Sequence, residues 1–275
     1  MLLYLLLFLA SILATSHAGV TTLDDDDVVS RMRHGIGAPA FFFPYQVRLH
    51  DHGNFFCGGA IIHKRYILTA AHCLVEKKHK VNKITVTVGT NKLDFKKGTI
   101  YKSEKFILHE NYTRRAVDLF KDRRKMHNDI ALIRVSEDIK FNRDVEPIEL
   151  VPSDYKYTVG ENLLLSGWGL RSINSTSPDH LLMVIGKITN FEECKKSWRK
   201  VTTVDNGMIC YTGTLQESSC KGDSGGPAVN TKINRLVGIV YGSVDCGAKG
   251  HPSVLTRISH YVDWIKRHTE SYIHL

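Results

Sequence analysis

From Ala40 to Arg257 the chain is a succession of short apolar runs, each closed by Gly, Asn, Asp or Lys. The runs are Tyr45–Leu49, Gly59–Ile62, Tyr66–Thr69, Ile84–Val88, Ile130–Val135, Asn162–Ser166, Leu182–Lys187, Met208–Tyr211, Pro227–Val229, Leu236–Tyr241 and Ser253–Arg257. β-Branched and aromatic side chains fit a pleated surface, and the bounding residues are those that turn a chain. Many short strands at this spacing predict an all-β fold of barrels or sandwiches. Helical periodicity stands out only near the C-terminus, where Ile258, Tyr261, Val262, Trp264 and Ile265 share one face before Lys266 and Arg267. The 275 residues are 43% hydrophobic, enough to fill the core of one large all-β domain or two smaller ones.

The N-terminal residues read differently. Met1–Ala14 is apolar but too short to span a bilayer, so no membrane span is expected. It is followed by Ser16-His17-Ala18, with small residues where signal peptidase prefers them. Residues 1–18 therefore read as a signal peptide, although no positive charge precedes the apolar run. Residues 19–31 read as an acidic pro-segment, because the adjacent carboxylates of Asp24, Asp25, Asp26 and Asp27 repel one another and resist folding. The folded domain is expected over 32–275, in a secreted, extracellular protein.

Export sets the redox context for Cys57, Cys73, Cys194, Cys210, Cys220 and Cys246. An even number predicts disulfides, with the pairing left open by composition. No cysteine pair has the short spacing of a zinc knuckle, so no metal is expected. The formal charge is +9, with basic clusters at Lys77-Lys78-His79-Lys80 and from Arg114-Arg115 to Arg123-Arg124-Lys125. No nucleic-acid motif accompanies that charge, and a solvated surface is the simpler reading.

Three segments carry chemistry: Leu68-Thr69-Ala70-Ala71-His72-Cys73, Asn128-Asp129-Ile130-Ala131-Leu132, and Cys220-Lys221-Gly222-Asp223-Ser224-Gly225-Gly226-Pro227. A His beside a Cys, or an Asp before a strand, is ordinary by itself. Glycines flanking Asp-Ser are not, because they let backbone N–H groups turn inward around a substrate. In the order His, Asp, Ser, the three segments resemble the trypsin/chymotrypsin-like serine protease family. Phe43-Pro44-Tyr45-Gln46-Val47, Phe56-Cys57-Gly58-Gly59, Gly167-Trp168-Gly169 and the helix around Trp264 extend the resemblance from about Arg31 to the C-terminal helix.

The resemblance implies two six-stranded antiparallel β-barrels with the active site between them and a C-terminal α-helix. It implies a monomeric serine endopeptidase without cofactor, with Ser224 as nucleophile, His72 as general base and Asp129 orienting His72. The backbone N–H groups of Gly222 and Ser224 would form the oxyanion hole. It also implies the disulfides Cys57–Cys73, Cys194–Cys210 and Cys220–Cys246. Polypeptide substrates, an activating trypsin-like protease and protein protease inhibitors are the partners it suggests.

Family members are activated when a new apolar N-terminus pairs its amine with the acid before the nucleophile, here Asp223. Counting back from Phe43-Pro44 puts the cut at Arg31-Met32. The expected Ile-Val-Gly-Gly is replaced by Met32-Arg33-His34-Gly35, and only Gly35 keeps the family identity. Met32 suits an apolar slot, whereas Arg33 must keep its charge in water.

The family's pocket floor falls at Ser218, followed by Ser219, so no carboxylate is there to select Lys or Arg. The expected side chain before the cut bond is apolar and medium or small. Gly242 lines the wall if Tyr241 matches the family's Trp, and Ser243 does if the one-residue gap falls later. Ser253 replaces another wall glycine. The stretch from Tyr112 to Asp129 is longer than usual and basic, and in the family this loop overhangs the substrate. The stretch from Asn91 to Lys105 is lysine-rich where some trypsins bind calcium, which prefers carboxylates. Asn111-Tyr112-Thr113 and Asn174-Ser175-Thr176 are glycosylation sequons. A rival reading is a protease-like binding protein acting through its basic surface; such relatives usually lose Ser or His, and here all three residues remain.

Overall fold

The computed structural model describes residues 36–38, 41–94, 97–117, 123–170, 172, 175–214, 218–248 and 251–269. Residues 1–18 and 19–31, expected to be a signal peptide and a pro-segment, lie outside the described residues, as do Met32 and Asn174.

The first closed barrel is formed by β2 (Gln46–Asp51), β3 (Asn54–His63), β4 (Tyr66–Thr69), β5 (Ile84–Val88), β6 (Thr99–Leu108) and β9 (Ala131–Val135), in the order β2-β3-β4-β9-β6-β5. The second is formed by β10 (Asn162–Gly167), β11 (Leu182–Ile188), β12 (Met208–Gly213), β13 (Pro227–Asn230), β14 (Arg235–Gly242) and β15 (Ser253–Arg257). Their order is β11-β10-β13-β14-β15-β12, and β12 pairs back onto β11 to close the ring. β1 (Ile36–Gly37) adds to the outer edge of β11, Ile36 opposite Met183. All these pairings are antiparallel, as the resemblance implied.

The strands that meet the other barrel are apolar on both faces. On β4, Ile67 points into the first barrel while Tyr66 and Leu68 join the core shared with the second; on β9, Ile133 and Leu132 divide in the same way. This is why such segments read as continuous apolar runs rather than alternating ones. Each fully buried Leu or Ile contributes about 1.5–3 kcal/mol, so the shared layer binds the barrels into one unit.

Three features depart from the sequence reading. β6 was not predicted: its exposed Lys102, Glu104 and Lys105 mask the buried Tyr101 and Ser103. The basic stretch before Asp129 is not wholly a loop. It contains a hairpin, β7 (Thr113–Val117) and β8 (Arg123–His127), with Thr113 opposite His127 and Val117 opposite Arg123. A second surface helix, α2 (Phe191–Trp198), starts where the Asn190 side chain accepts from the N–H groups of Glu192 and Glu193 at 2.9 and 3.1 Å. The first helix, α1 (Ala71–Leu74), is a single turn after β4. The expected C-terminal helix is α3 (Ile258–His268), which buries the predicted face and donates from Trp264 Nε1 to Glu110 at 2.9 Å. Among the described residues no helix is long and apolar enough to cross a membrane.

All three implied disulfides form: Cys57–Cys73, Cys194–Cys210 and Cys220–Cys246. They close loops of 16, 16 and 26 residues, each a constraint of about 3 kcal/mol on the unfolded chain. Part of the basic surface is internally neutralised. Lys77 donates to Asp51 at 2.6 Å and holds that carboxyl down at about 2.

Candidate active site

His72 sits on α1, where β4 ends against the buried small residues Ala70 and Ala71. Asp129 arrives immediately before β9. The two meet at two points: the His72 backbone N–H donates to Asp129 Oδ1 at 2.8 Å, and Nδ1 is 2.6 Å from Oδ2. A carboxylate can only accept, so the proton of the second bond belongs to Nδ1. A neutral imidazole held in this tautomer has Nε2 free of a proton, the form a general base requires. The Asp129 side chain is 0% exposed and that of His72 is 20% exposed, so the acid is shielded while the ring reaches the cleft.

Asp129 is clamped by contacts that the sequence reading did not foresee. Asn128 takes a left-handed backbone, φ 53°, which asparagine tolerates better than most. Its Nδ2 donates to the Asn111 carbonyl at 2.9 Å and its Oδ1 accepts from Tyr261 at 3.2 Å. From the second barrel, Thr256 Oγ1 donates to the Asp129 carbonyl at 2.9 Å. The only sequence signal was Asn128 itself, a residue type suited to that backbone.

Ser224 lies on the other barrel, between Cys220 and Pro227. Asp223 N–H donates to the Cys220 carbonyl at 3.1 Å, and Gly226 N–H to the Asp223 carbonyl at 2.9 Å. Gly222 and Gly225 have φ of 100° and 77°; a Cβ on Gly225 would stand 2.2 Å from Thr69 Oγ1. Glycine is required there by conformation and by space. The Ser224 carbonyl accepts from Gly58 N–H at 2.9 Å and lies 3.7 Å from Cys73 Sγ, beside His72. The half-buried Ser224 is thus docked against the disulfide adjoining the His72–Asp129 pair. Cys57, His72 and Cys73 offer donor atoms within 4.8 Å of one another, but both sulfurs are bridged and provide no thiolate for a metal.

A family model described as Trypsin matches residues 34–265. Chymotrypsin-2 of Vespa crabro is 39% identical over 235 residues, covering 85% of this chain and 97% of that protein. Trypsin II-P29 of Gallus gallus is 34% identical over 254 residues, covering 90% and 92%. Neuropsin, a serine protease expressed in the limbic system of mouse brain, has a solved structure that superposes with a TM-score of 0.74. It is 28% identical and covers 86% of this chain and 99% of that one. The chain belongs to the trypsin family of serine proteases. It is a serine endopeptidase.

Relatives of this protease carry both trypsin and chymotrypsin names, so its specificity must be read from its own residues. Ser218, Ser219 and Ser253 are buried. Ser218 Oγ donates to the Ser219 carbonyl at 2.8 Å and lies 3.2 Å from Ser253 Oγ; Ser243 Oγ donates to the Ser219 carbonyl at 2.6 Å. The β14–β15 register shifts between Val240 and Gly242, leaving Tyr241 in the bulge, and Gly242 has open space where a Cβ would stand. The four serines therefore gather in one region: the hydroxyls of Ser218, Ser243 and Ser253 are hydrogen-bonded to one another or to the Ser219 carbonyl, whereas the buried Ser219 hydroxyl has no partner among the described residues.

Asp223 is buried beneath the segment. Its Oδ1 accepts from Gly169 N–H and its Oδ2 from Cys220 N–H, both at 2.8 Å. No cation pairs with it among the described residues, and burial lifts its carboxyl to about 7 despite those two bonds. Neither the N–H of Gly222 nor that of Ser224 has an acceptor among the described residues.

Proposed function

We propose that this protease is secreted as an inactive precursor and cleaves polypeptides after medium or small apolar residues. In this reading residues 1–18 direct export, residues 19–31 are removed by a trypsin-like protease cutting after Arg31, and 32–275 form the monomeric enzyme. The amine of Met32 then pairs with Asp223. Ser224 attacks the peptide carbonyl while His72 Nε2 takes its proton and later delivers it to the leaving amine. Asp129 keeps the ring in the reactive tautomer and stabilises the imidazolium. The N–H groups of Gly222 and Ser224 receive the developing oxyanion, each worth about 100- to 1,000-fold in rate.

The observation that carries this reading is the two-point bond between His72 and Asp129, set beside the docked Ser224 segment. The apolar preference is supported by a pocket region of hydroxyls with no carboxylate among Ser218, Ser219, Ser243 and Ser253. Exposed Asn111 is proposed as a glycan acceptor. The test is to express the chain, cut it after Arg31, confirm the new N-terminus and profile cleavage of a peptide library. Fluorophosphonate labelling of Ser224, abolished in Ser224→Ala, is expected. Cleavage strictly after Lys or Arg overturns the pocket assignment. Failure to label after verified processing overturns the enzymatic roles and favours a binding protein.

A further inference from the structure

β2 carries a buried charge that the proposed reaction does not use. Val47 and Leu49 point into the first barrel. Gln46, Arg48 and His50 alternate with them and are also buried, at 3%, 0% and 1% exposure. That face is covered by the second barrel: Ser166 donates to Gln46 Oε1 at 2.6 Å, and the Arg48 guanidinium lies 5.4 Å from the centre of the Trp168 ring. A buried guanidinium persists only where its hydrogens are taken up by good acceptors.

For the two Nη groups those acceptors all come from one surface loop, whereas the buried Nε–H has no acceptor among the described residues. Arg48 Nη1 donates to the carbonyls of Lys92 and Asp94, the latter at 3.2 Å, and Nη2 donates to the carbonyl of Lys97 at 2.7 Å. Main-chain carbonyls converging on one cation are the arrangement by which loops hold hard metal ions. Here the cation is covalently part of the chain. The loop is also tied beyond this point. Leu93 N–H donates to the Asp179 carbonyl at 2.7 Å, and the Asn91 carbonyl accepts from Leu181 N–H at 2.6 Å and from Trp168 Nε1 at 3.0 Å.

Trp168 is therefore held twice, by the cation on its ring and by the loop on its indole N–H. The next residue, Gly169, donates to Asp223. Phe55 packs edge-on to Trp168, with centroids 6.3 Å apart, and stands 3.2 Å from where a Cβ of Gly222 would be.

We propose that Arg48 is a built-in cation that gathers the carbonyls of Lys92, Asp94 and Lys97 as a bound metal ion would, and through Trp168 positions the Gly169–Asp223 support beneath Ser224. Arg48 is a positioning residue, not a catalytic one; the second half of the proposal rests on the role proposed for Ser224.

The test compares processed wild type with Arg48→Ala and Arg48→Lys. Digestion by a lysine-specific protease reads the loop without reference to activity. Arg48→Ala is expected to be cut after Lys92 or Lys97 at least tenfold faster than wild type, and millimolar methylguanidinium is expected to restore its resistance while urea does not. kcat is expected to fall about tenfold with KM nearly unchanged, and to recover with methylguanidinium. Arg48→Lys, which keeps the charge but not the fork, should fall between the two. An Arg48→Ala loop as resistant as wild type, or loop opening insensitive to methylguanidinium, overturns the built-in cation. An opened loop with unchanged kcat overturns the link to Asp223. Should Arg48→Ala not fold, Arg48→Lys carries the comparison, and wild-type digestion of the loop without prior unfolding overturns the anchoring. If wild type itself fails to label with fluorophosphonate, the proposed function fails while the digestion result still decides the loop.

Discussion

Asp129 and Asp223 are equally buried, each 1% exposed, yet they are supported in opposite ways. Both oxygens of Asp129 face His72, a group able to become a cation. Both oxygens of Asp223 face neutral backbone N–H groups. The first carboxylate has its counter-charge available within the fold. The second carries a burial cost that its two hydrogen bonds do not offset, which lifts its carboxyl to about 7. The contrast separates two supports: the His72–Asp129 pair holds its own potential counter-charge, whereas Asp223 has no cation among the described residues, and we propose that the Met32 amine supplies one.

The comparison is broken most forcefully at Asp129. Asp129→Asn should lower kcat of the processed enzyme by about 10,000-fold, because an amide favours the wrong tautomer of His72; a loss under tenfold in steady-state assays would remove Asp129 from that role. The next effect concerns pH. Asp223 binds its proton more tightly folded than unfolded, at about 7 against 3.8. The uncut chain should therefore be destabilised as pH rises from about 4 to about 7, by an amount on the order of 4 kcal/mol. Melting curves of uncut and processed protein across that window check this; the slope should vanish after processing, and a flat uncut profile would show that Asp223 is not an isolated buried acid. Asp223→Asn should leave the uncut chain folded and remove that slope, while costing the processed enzyme about 100- to 1,000-fold in kcat by loosening the oxyanion donors. The smallest change leaves both carboxylates untouched. Ser253→Gly should widen the pocket and raise the ratio of kcat/KM for Phe over Val before the cut bond by about tenfold, with an unchanged peptide-library profile counting against Ser253 as a pocket residue.

The strands Tyr66–Thr69, Ile84–Val88 and Ser253–Arg257 match the sequence reading residue for residue, because their apolar pattern reports burial directly. β6 was missed because Lys102, Glu104 and Lys105 occupy its solvent side, and the hairpin β7–β8 because its residues have no apolar periodicity. Helix α2 was missed although Asn190, followed by Glu193, is a recognisable start. Of the candidate site, the three segments that place His72 against Asp129 and dock Ser224 beside Cys73 were legible because their flanking residues are so constrained. The clamp by Thr256 and Tyr261 was not, since nothing local tells a threonine or tyrosine which distant carbonyl or amide it will meet. Arg48 is the clearest failure of local reasoning. On an alternating strand it reads as a solvent-facing residue, and it is the carbonyls of Lys92, Asp94 and Lys97 together with Trp168 of the second barrel that enclose it.

The hairpin before Asp129 is bounded at its foot by two bonds, His109 N–H to the Ile130 carbonyl at 3.1 Å and Asn128 Nδ2 to the Asn111 carbonyl at 2.9 Å. They act like a closed parenthesis: whatever is written inside it, the words on either side keep their places. Descendants of this sequence can lengthen, shorten or recharge that arm while the acid next door stays where it is.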